Sequence, residues 1–267
     1  KSESVIGEFL KTNREQIYVA TKCGRGINPH DNNGYQPGIL RDFVEQSLER
    51  LGVECLDLIQ LHCPPTEVYY RPEIFELFQQ LKKEVKIKNL GVSIEKVEEG
   101  IKALEYENVS SIQVIYNMFR QRPQDQLFSM ASKRNVGLII RVPLASGLLS
   151  GKFSQETRFK KEDHRNFNKD GAFFDKGETF AGIPYNEGLQ AVEEIKKQFG
   201  TSDTASLALK WILRMKEVSC IIPGASNPEQ ATRNAQVPEM DDIDSEQLKK
   251  IDEFYQMHIR KHVHQRW

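Results

Sequence analysis

The sequence is poor in the features that mark several common protein classes. It has four cysteines in 267 residues, and no two of them form a C-x-x-C pair, so neither a disulfide framework nor a cysteine-rich zinc site is indicated. No apolar run reaches the roughly 18 residues that a membrane-spanning helix needs. The formal net charge of -1 provides no basic surface for nucleic acid or an anionic membrane. We therefore predict a cytoplasmic protein with reduced thiols and with neither a nucleic-acid nor a membrane partner.

What the sequence does contain is a regular alternation of short apolar runs with amphipathic helical patterns. The segments between the apolar runs carry apolar residues at helical spacing. Short apolar strands separated by helices are typical of a parallel sheet that is covered by helices. The predicted strands are residues 17–22, 55–61, 89–93, 111–116, 137–142 and 218–222.

Two α/β architectures fit this alternation, a doubly wound sheet and a (β/α)8 TIM barrel. A doubly wound dinucleotide-binding sheet carries G-x-G-x-x-G after its first strand, and the glycines after the first predicted strand here do not have that spacing. The absence of the motif favours the barrel. Because the chain supplies six strands and opens at Lys1 rather than at a methionine, we expect the first two strands, roughly 40 to 60 residues, upstream of Lys1. We predict one domain over residues 1–267, with a long loop insertion at about 143–185.

Two chemically reactive side chains stand at the ends of neighbouring predicted strands. Lys22 ends the first strand and His62 directly follows the second. Taken alone, each has a structural interpretation: Lys22 as a strand-end lysine that reaches solvent, and His62 as a hydrogen-bonded core histidine. The active sites of barrel enzymes lie at the C-terminal ends of the strands, and such groups are costly to bury there without a role. The two together indicate a catalytic pair.

Six short motifs follow one another in order along the chain. They are V-A-T-K ending at Lys22, D-L-I-Q-L-H-C-P at 57–64, G-V-S at 91–93, Q-V-I-Y-N at 113–117, P-L-A-S-G-L-L-S-G-K at 143–152, and I-P-G-A-S at 222–226. In this order they resemble the motifs of the aldo-keto reductases, in the style of the bacterial general-stress-type members. The resemblance implies a TIM barrel that binds NADP(H) and reduces carbonyl compounds.

The resemblance gives Lys22 and His62 two places in the family's catalytic Asp-Tyr-Lys-His tetrad. A lysine ammonium lowers the pKa of a neighbouring tyrosine that acts as general acid, and an imidazole stabilises the charge that grows on the carbonyl oxygen. The family's tyrosine and aspartate would lie upstream of Lys1. We reject Tyr35 as a substitute acid, because it lies in the variable loop after the lysine strand, and keep it as a candidate wall of the substrate pocket.

The resemblance also assigns a set of positions to the cofactor. Ser93 and Gln113 match residues that hold the nicotinamide carboxamide, although Gln113 also fits as a buried core amide, and Ile94 replaces the usual asparagine. Arg141 replaces an aromatic residue that stacks on the ring, and its guanidinium plane can also stack. Arg233 stands where an acidic residue is common in the family. One interpretation is that it favours the 2′-phosphate of NADP(H); the other is that it is an exposed arginine on a helix. The remaining positions are Leu144, Ser146, Gly147, Ser150, Lys152, Arg158, Gly224, Ser226, Gln230 and Asn234.

We accordingly predict an NADPH-dependent oxidoreductase that reduces aldehydes or ketones to alcohols. Its expected partner is a small carbonyl substrate, it needs no metal, and a monomer is the default state. One alternative is a non-catalytic NADPH-binding sensor or regulatory subunit on the same fold, and another is a different barrel enzyme that binds a phosphorylated substrate. The histidines near the C-terminus are predicted to belong to a solvated tail; they are His258, His262 and His264.

Overall fold

The computed structural model describes all 267 residues. The strands are β1 (Ala20–Cys23), β2 (Leu56–His62), β3 (Ile87–Ser93), β4 (Val109–Ile115), β5 (Gly137–Arg141) and β6 (Val218–Ile221). The helices are α1 (Ser2–Thr12), α2 (Pro37–Leu51), α3 (Pro72–Lys83), α4 (Val97–Ala103), α5 (Leu127–Lys133), α6 (His164–Phe167), α7 (Tyr185–Phe199), α8 (Thr204–Leu213), α9 (Pro228–Gln236), α10 (Ser245–Phe254) and α11 (Arg260–Val263). None of the helices combines the length and the apolar character that crossing a membrane requires.

The six strands form one sheet in the order β1-β2-β3-β4-β5-β6, and the registered pairs are parallel. Parallel neighbours need a crossover between them, and helices provide these connections. This arrangement confirms the predicted α/β class. The chain divides into two compact units, unit 1 with residues 1–113 and 130–137, and unit 2 with residues 114–129 and 138–267. The assignment of residues 1–267 to one domain stays a prediction.

Local side chains explain where several of the helices begin. Pro37 opens α2 in the first turn, where a missing N–H costs nothing. The Asp244 side chain accepts a hydrogen bond from the Gln247 N–H at 2.7 Å, and the Gln247 side chain accepts one in return from the Asp244 N–H. This reciprocal capping box fixes the start of α10.

Strand β1 is shorter than the sequence predicts. The apolar run begins at Ile17, but strand pairing starts only at Ala20. The Val19 N–H donates to the Asp57 carboxylate at 3.0 Å, and Ile17 and Tyr18 are exposed. Because a side chain accepts the hydrogen bond that a neighbouring strand would otherwise accept, pairing is confined to the end of the run.

Polar side chains crowd the middle of the sheet in unit 1. Gln60, Gly91 and Ser111 are paired across β2, β3 and β4, and all three are buried. A Cβ atom on Gly91 would clash with the Ser111 Oγ and would lie 3.0 Å from the Gln60 Cγ. Glycine at position 91 therefore makes room for the polar side chains on both sides.

Replacing Gly91 by alanine should destabilise the protein by about 1–3 kcal/mol, because the methyl group overpacks this row. The matched control is Gly38→Ala on α2, where a Cβ meets nothing within 4 Å and the helix gains up to about 1 kcal/mol. Urea titration gives both free energies of unfolding. Adding Ser111→Ala to the Gly91 variant should recover part of the loss. A Gly91→Ala protein as stable as its parent would show that the row is not tightly packed.

The last residues of unit 2 are partly packed into it, which corrects the predicted solvated tail for His262 and His264, whereas His258 is exposed as predicted. A π-helical turn at Tyr255–Ile259 carries the chain from α10 into α11. His264 is only 7 % exposed; its Nδ1 lies 2.9 Å from the Tyr255 hydroxyl and its Nε2 lies 3.0 Å from the Asp125 carboxylate. Trp267 is also buried. The prediction failed because these contacts are made to distant parts of the chain, which local periodicity does not reveal.

Candidate active site

Unit 1 presents a row of polar side chains on one face of the sheet. The register pairs Lys22 with Gln60, His62 with Ser93, and Ser93 with Gln113. Gln60 and His62 are two residues apart in β2, and strand side chains alternate between faces, so all five share one face. The structure therefore brings together both residues predicted to be catalytic and both residues predicted to hold the carboxamide.

The two glutamines of this row are buried, whereas its two ionisable members, Lys22 and His62, are partly exposed. Gln60 and Gln113 are almost fully buried, and the Gln113 Nε2 donates to the Gln60 Oε1 at 3.3 Å. Lys22 and His62 are half-buried. Neutral amides that satisfy each other can be buried at low cost, whereas groups that carry charge need access to water or a partner. Sequence reasoning missed Gln60; the available signal was its position two residues before His62 in a strand.

Tyr35 is a core residue of unit 1. It has no exposed surface, and its hydroxyl lies 3.0 Å from the His30 Nε2. Burial raises the pKa of the Tyr35 phenol well above its ordinary value. A phenol whose ionised form is this unfavourable is a poor proton donor, which agrees with its rejection as the general acid.

Unit 2 contains a cavity of about 1100 Å³. Pockets for small ligands have volumes of about 300–1,000 Å³, so this cavity is large enough for an extended ligand such as a dinucleotide. Ten of the cofactor positions predicted from the sequence line it: Leu144, Ser146, Gly147, Ser150, Lys152, Gly224, Ser226, Gln230, Arg233 and Asn234.

The loop that follows β5 has an unusual backbone where it borders this cavity. Val142, Ala145 and Ser146 have φ values of 51°, 48° and 56°, in a region that side-chain-bearing residues rarely adopt. The Val142 carbonyl accepts hydrogen bonds from the Asn117 Nδ2 at 2.9 Å and from the Ala145 N–H at 3.1 Å. Backbone strain held in place by such bonds concentrates at ligand sites. Hydrogen bonds to the rest of the chain therefore fix the backbone conformation of this loop.

Three cationic side chains border the cavity, Lys152, Arg165 and Arg233. Arg165 is the most constrained: its guanidinium donates to both carboxylate oxygens of Asp163 at 2.9 and 2.6 Å, and it lies 4.6 Å from the centroid of the Phe159 ring. The hydrogen bond from Arg165 lowers the pKa of Asp163 to about 2, so the carboxylate stays ionised at neutral pH. The ion pair orients the guanidinium at the cavity border, although Asp163 offsets part of its charge.

The other end of the cavity lies at the start of α9. The Ser226 N–H and hydroxyl both donate to the Gln230 Oε1, at 2.8 and 3.0 Å. The Asn234 Nδ2 approaches the Gly224 carbonyl at 3.5 Å. Asn227 caps the helix by accepting from the Gln230 N–H at 2.9 Å. These bonds hold Ser226 and Gln230 at the N-terminus of α9, which carries partial positive charge, whereas Asn234 lies in the last turn of the helix.

Two predicted cofactor residues of unit 2, Arg141 and Arg158, do not line the cavity. Arg141 is 9 % exposed, and its guanidinium lies 3.7 Å from the Glu178 carboxylate, which does line the cavity. Arg158 is exposed and donates to the Gln155 carbonyl at 2.8 Å. Arg141 is thus linked to the cavity through Glu178, whereas Arg158 contacts the backbone of its own loop.

Sequence reasoning missed Arg165 and Glu178 as residues that line the cavity. Arg165 lies in α6, where Asp163 is the N-cap and accepts from the Arg165 N–H at 2.9 Å. An N-cap aspartate followed by a short helix is a detectable signal inside a long loop. No local pattern marks Glu178, because it lies in a 3-10 turn.

Comparison with known proteins assigns the family. A model of the Aldo/keto reductase family matches residues 1–256. The chain belongs to the aldo/keto reductase family. Members of this family generally bind NAD(P)H.

Among its relatives, the NADH-specific methylglyoxal reductase of Escherichia coli is 29% identical over 87% of this chain and 73% of that protein. The putative voltage-gated potassium channel subunit beta of Schizosaccharomyces pombe is 28% identical over 94% of this chain and 76% of that protein.

A solved structure places this aldo-keto reductase chain in the expected fold. The glycerol dehydrogenase AKR11B4 from Gluconobacter oxydans superposes with a TM-score of 0.73 and 27% identity, covering 98% of this chain and 78% of that one. Together with the parallel sheet, this match confirms the predicted TIM-barrel fold class.

Proposed function

We propose that this aldo-keto reductase is an NADPH-dependent oxidoreductase that reduces aldehydes or ketones to alcohols. One observation carries the proposal: the register puts Lys22 and His62, the two catalytic candidates, on one face with Ser93 and Gln113. In a parallel sheet of this class the ends of strands carry the chemistry. A lysine, an imidazole and an amide on one face would supply a cation, a hydrogen-bond donor for the carbonyl oxygen and a partner for the nicotinamide carboxamide.

The residues of unit 2 fit a dinucleotide phosphate. The cavity has the required volume and three cationic side chains on its border, and it includes a helix start whose N–H groups favour an anion. Lys152 and Arg165 would hold the pyrophosphate. Ser226, which precedes α9, and the α9 residues Gln230 and Asn234 would hold the adenosine end. In unit 1, Ser93 and Gln113 would hold the nicotinamide carboxamide. When bound, NADPH supplies the hydride that adds to the carbonyl carbon.

Within this proposal the two catalytic residues manage charge and proton transfer. The His62 imidazole would donate a hydrogen bond to the carbonyl oxygen and stabilise the negative charge that develops on it. The Lys22 ammonium would lower the pKa of the tyrosine general acid that the family resemblance implies. Both side chains are half-buried, so their electrostatic effect is stronger than it would be in bulk water.

We further propose a preference for NADPH over NADH. Arg233, Lys152 and Ser226 line the cavity, and a guanidinium favours a 2′-phosphate over the ribose hydroxyl of NADH. The relative named for methylglyoxal reduction is NADH-specific, so the preference has to be measured on this protein. Methylglyoxal is itself a reasonable first substrate, because the name of that relative identifies it.

A regulatory role is the second candidate. It is supported by the similarity to the putative channel subunit beta of Schizosaccharomyces pombe. Both candidates predict NADPH binding, and only the reductase predicts turnover. Incubating the protein with NADPH and a panel of aldehydes, including methylglyoxal, separates them through the loss of nicotinamide absorbance. NADPH binding without consumption of NADPH on any aldehyde would favour the regulatory role. The cytoplasmic location and the monomeric state stay predictions.

Arg165→Ala should weaken NADPH binding by about tenfold or more, because it removes a cation from the cavity border. Arg158→Ala is the matched control, since Arg158 is an arginine of the same loop that lies outside the lining, and it should change the Kd by less than about threefold. Fluorescence titration with NADPH gives both constants. A larger loss in Arg158→Ala than in Arg165→Ala would instead support the cofactor-binding role that the sequence predicts for Arg158.

A further inference from the structure

A short stretch of unit 2, residues 175–182, contributes Glu178 to the lining of the cavity; we call it the shelf. Its backbone is tied to the loop after β5, because the Ser146 hydroxyl donates to the Glu178 carbonyl at 3.0 Å and accepts from the Phe180 N–H at 3.1 Å. Ser146 also lines the cavity. A displacement of the shelf would therefore move two lining residues.

The side chain of Trp267 contacts the shelf through a hydrogen bond and through close packing against its backbone. The Trp267 Nε1 donates to the Asp175 Oδ1 at 2.7 Å. A Cβ on Gly182 would clash with the Trp267 ring, and one on Gly177 would lie 2.7 Å from the Trp267 Cε2. The indole therefore lies directly against two backbone positions of the shelf. It is only 6 % exposed, and the Arg120 guanidinium lies 4.5 Å from the centroid of the ring.

The contacts of Asp175 connect the indole to the shelf backbone. The same Oδ1 atom that accepts from Trp267 also accepts from the Gly177 N–H at 2.7 Å. Glu178 follows directly and faces Arg141 at 3.7 Å. Hydrogen bonds link the indole to Asp175 and Asp175 to the Gly177 N–H, and Gly177 is bonded directly to Glu178, whose side chain lines the cavity.

We propose that Trp267 is a positioning residue for the cofactor cavity: it holds the shelf in the conformation that binds NADPH, without touching the cofactor. The inference rests on the proposed function of that cavity. The shelf has little regular structure, since it consists of two 3-10 turns, and such segments open easily when few contacts hold them. If only a fraction of the molecules hold the shelf in the conformation that binds NADPH, the apparent affinity for NADPH is reduced by that fraction.

A buried tryptophan also contributes general stability, and a matched control separates the two effects. Trp211 is the other tryptophan of the chain, lies in the same unit and is 1 % exposed. It stacks on Tyr116 with centroids 4.9 Å apart and does not line the cavity. Trp211→Phe and Trp267→Phe are therefore the same chemical change at two buried sites, and only one of them contacts the shelf.

The test measures three quantities on the parent protein and both variants: the Kd for NADPH, the free energy of unfolding, and the rate of tryptic cleavage after Lys169 and Lys176 without cofactor. We expect Trp267→Phe to raise the Kd by about tenfold and to speed cleavage in this region. Trp211→Phe should leave the Kd within about twofold, even where its loss of stability is as large. Asp175→Ala, which removes the acceptor for Trp267, should also raise the Kd and speed cleavage. It replaces Trp267→Phe in the test if that variant does not fold.

The outcomes distinguish the inference from the proposed function. If the parent protein does not bind NADPH, the proposed function fails and the inference fails with it. If the parent binds NADPH but Trp267→Phe and Asp175→Ala change the Kd no more than Trp211→Phe does, the inference alone is overturned.

Discussion

Lys22→Met should lower kcat for aldehyde reduction by about three orders of magnitude, while the Kd for NADPH changes by less than about threefold. Methionine keeps much of the length and apolar character of the lysine stem and removes only the ammonium. Without that charge, the pKa of the tyrosine general acid rises and proton delivery slows. Because the proposed role is confined to the transition state, cofactor binding should be nearly unaffected.

Two companion variants sharpen this result. Lys88→Met makes the same change in β3 at an exposed lysine paired with Asp57 at 2.7 Å, and it should leave kcat unchanged. His62→Leu should lower kcat by about 10²- to 10³-fold, since it removes a donor to the developing oxyanion. A Lys22→Met enzyme with a near-normal kcat would remove Lys22 from the catalytic machinery. Stopped-flow measurement of NADPH oxidation with saturating aldehyde provides the rates.

Arg233→Glu should shift the cofactor preference toward NADH by about 100-fold in the ratio of the two dissociation constants. A carboxylate beside the 2′-phosphate replaces an attraction by a repulsion, and like-charge contacts cost several kcal/mol when they are close. NADH lacks this phosphate, so its affinity should hardly change. Arg233 is exposed, so the shift should be largest at low ionic strength and smaller at high salt.

The control for this prediction is Arg266→Glu, the same charge reversal in unit 2 at an exposed residue that does not line the cavity. It changes the net charge equally and should leave the preference unaltered. Titrations with both nucleotides, each at two salt concentrations, measure the effect. Equal losses of affinity for NADPH and NADH in Arg233→Glu would assign Arg233 a role unrelated to the 2′-phosphate. No change for either nucleotide would make it an ordinary helical arginine.

Much of the fold was predictable from the sequence because parallel strands leave a strong local signal. The apolar runs around Ile59, Val92 and Ile112 are buried on both sides of the sheet, and such runs stand out from their polar flanks. The ends of the first two predicted strands suggested Lys22 and His62 as a catalytic pair, and that assignment stays a prediction. The start of β1 was misjudged by three residues, because the Asp57 side chain accepts a hydrogen bond there, and the starts of β3 and β4 were each misjudged by two.

The loops and the C-terminus were harder to predict, for a physical reason. Arg158 and Arg165 lie in the same polar loop with no hydrophobic periodicity to orient either one, so only the folded chain shows that Asp163 and Phe159 hold Arg165 at the cavity. The burial of Trp267 depends on Asp175, which lies 92 positions away in the sequence. Contacts of that range leave no trace in local patterns.

The most direct test of the proposed activity follows the hydride itself. The protein is incubated with methylglyoxal and NADPH that carries deuterium at the reactive position of the nicotinamide, and the alcohol product is analysed by mass spectrometry. The account predicts one deuterium on the new carbinol carbon in the parent protein, and a greatly reduced yield of that product in Lys22→Met. Saturable NADPH binding with no deuterated alcohol from methylglyoxal or from any other aldehyde or ketone offered would contradict the reductase function.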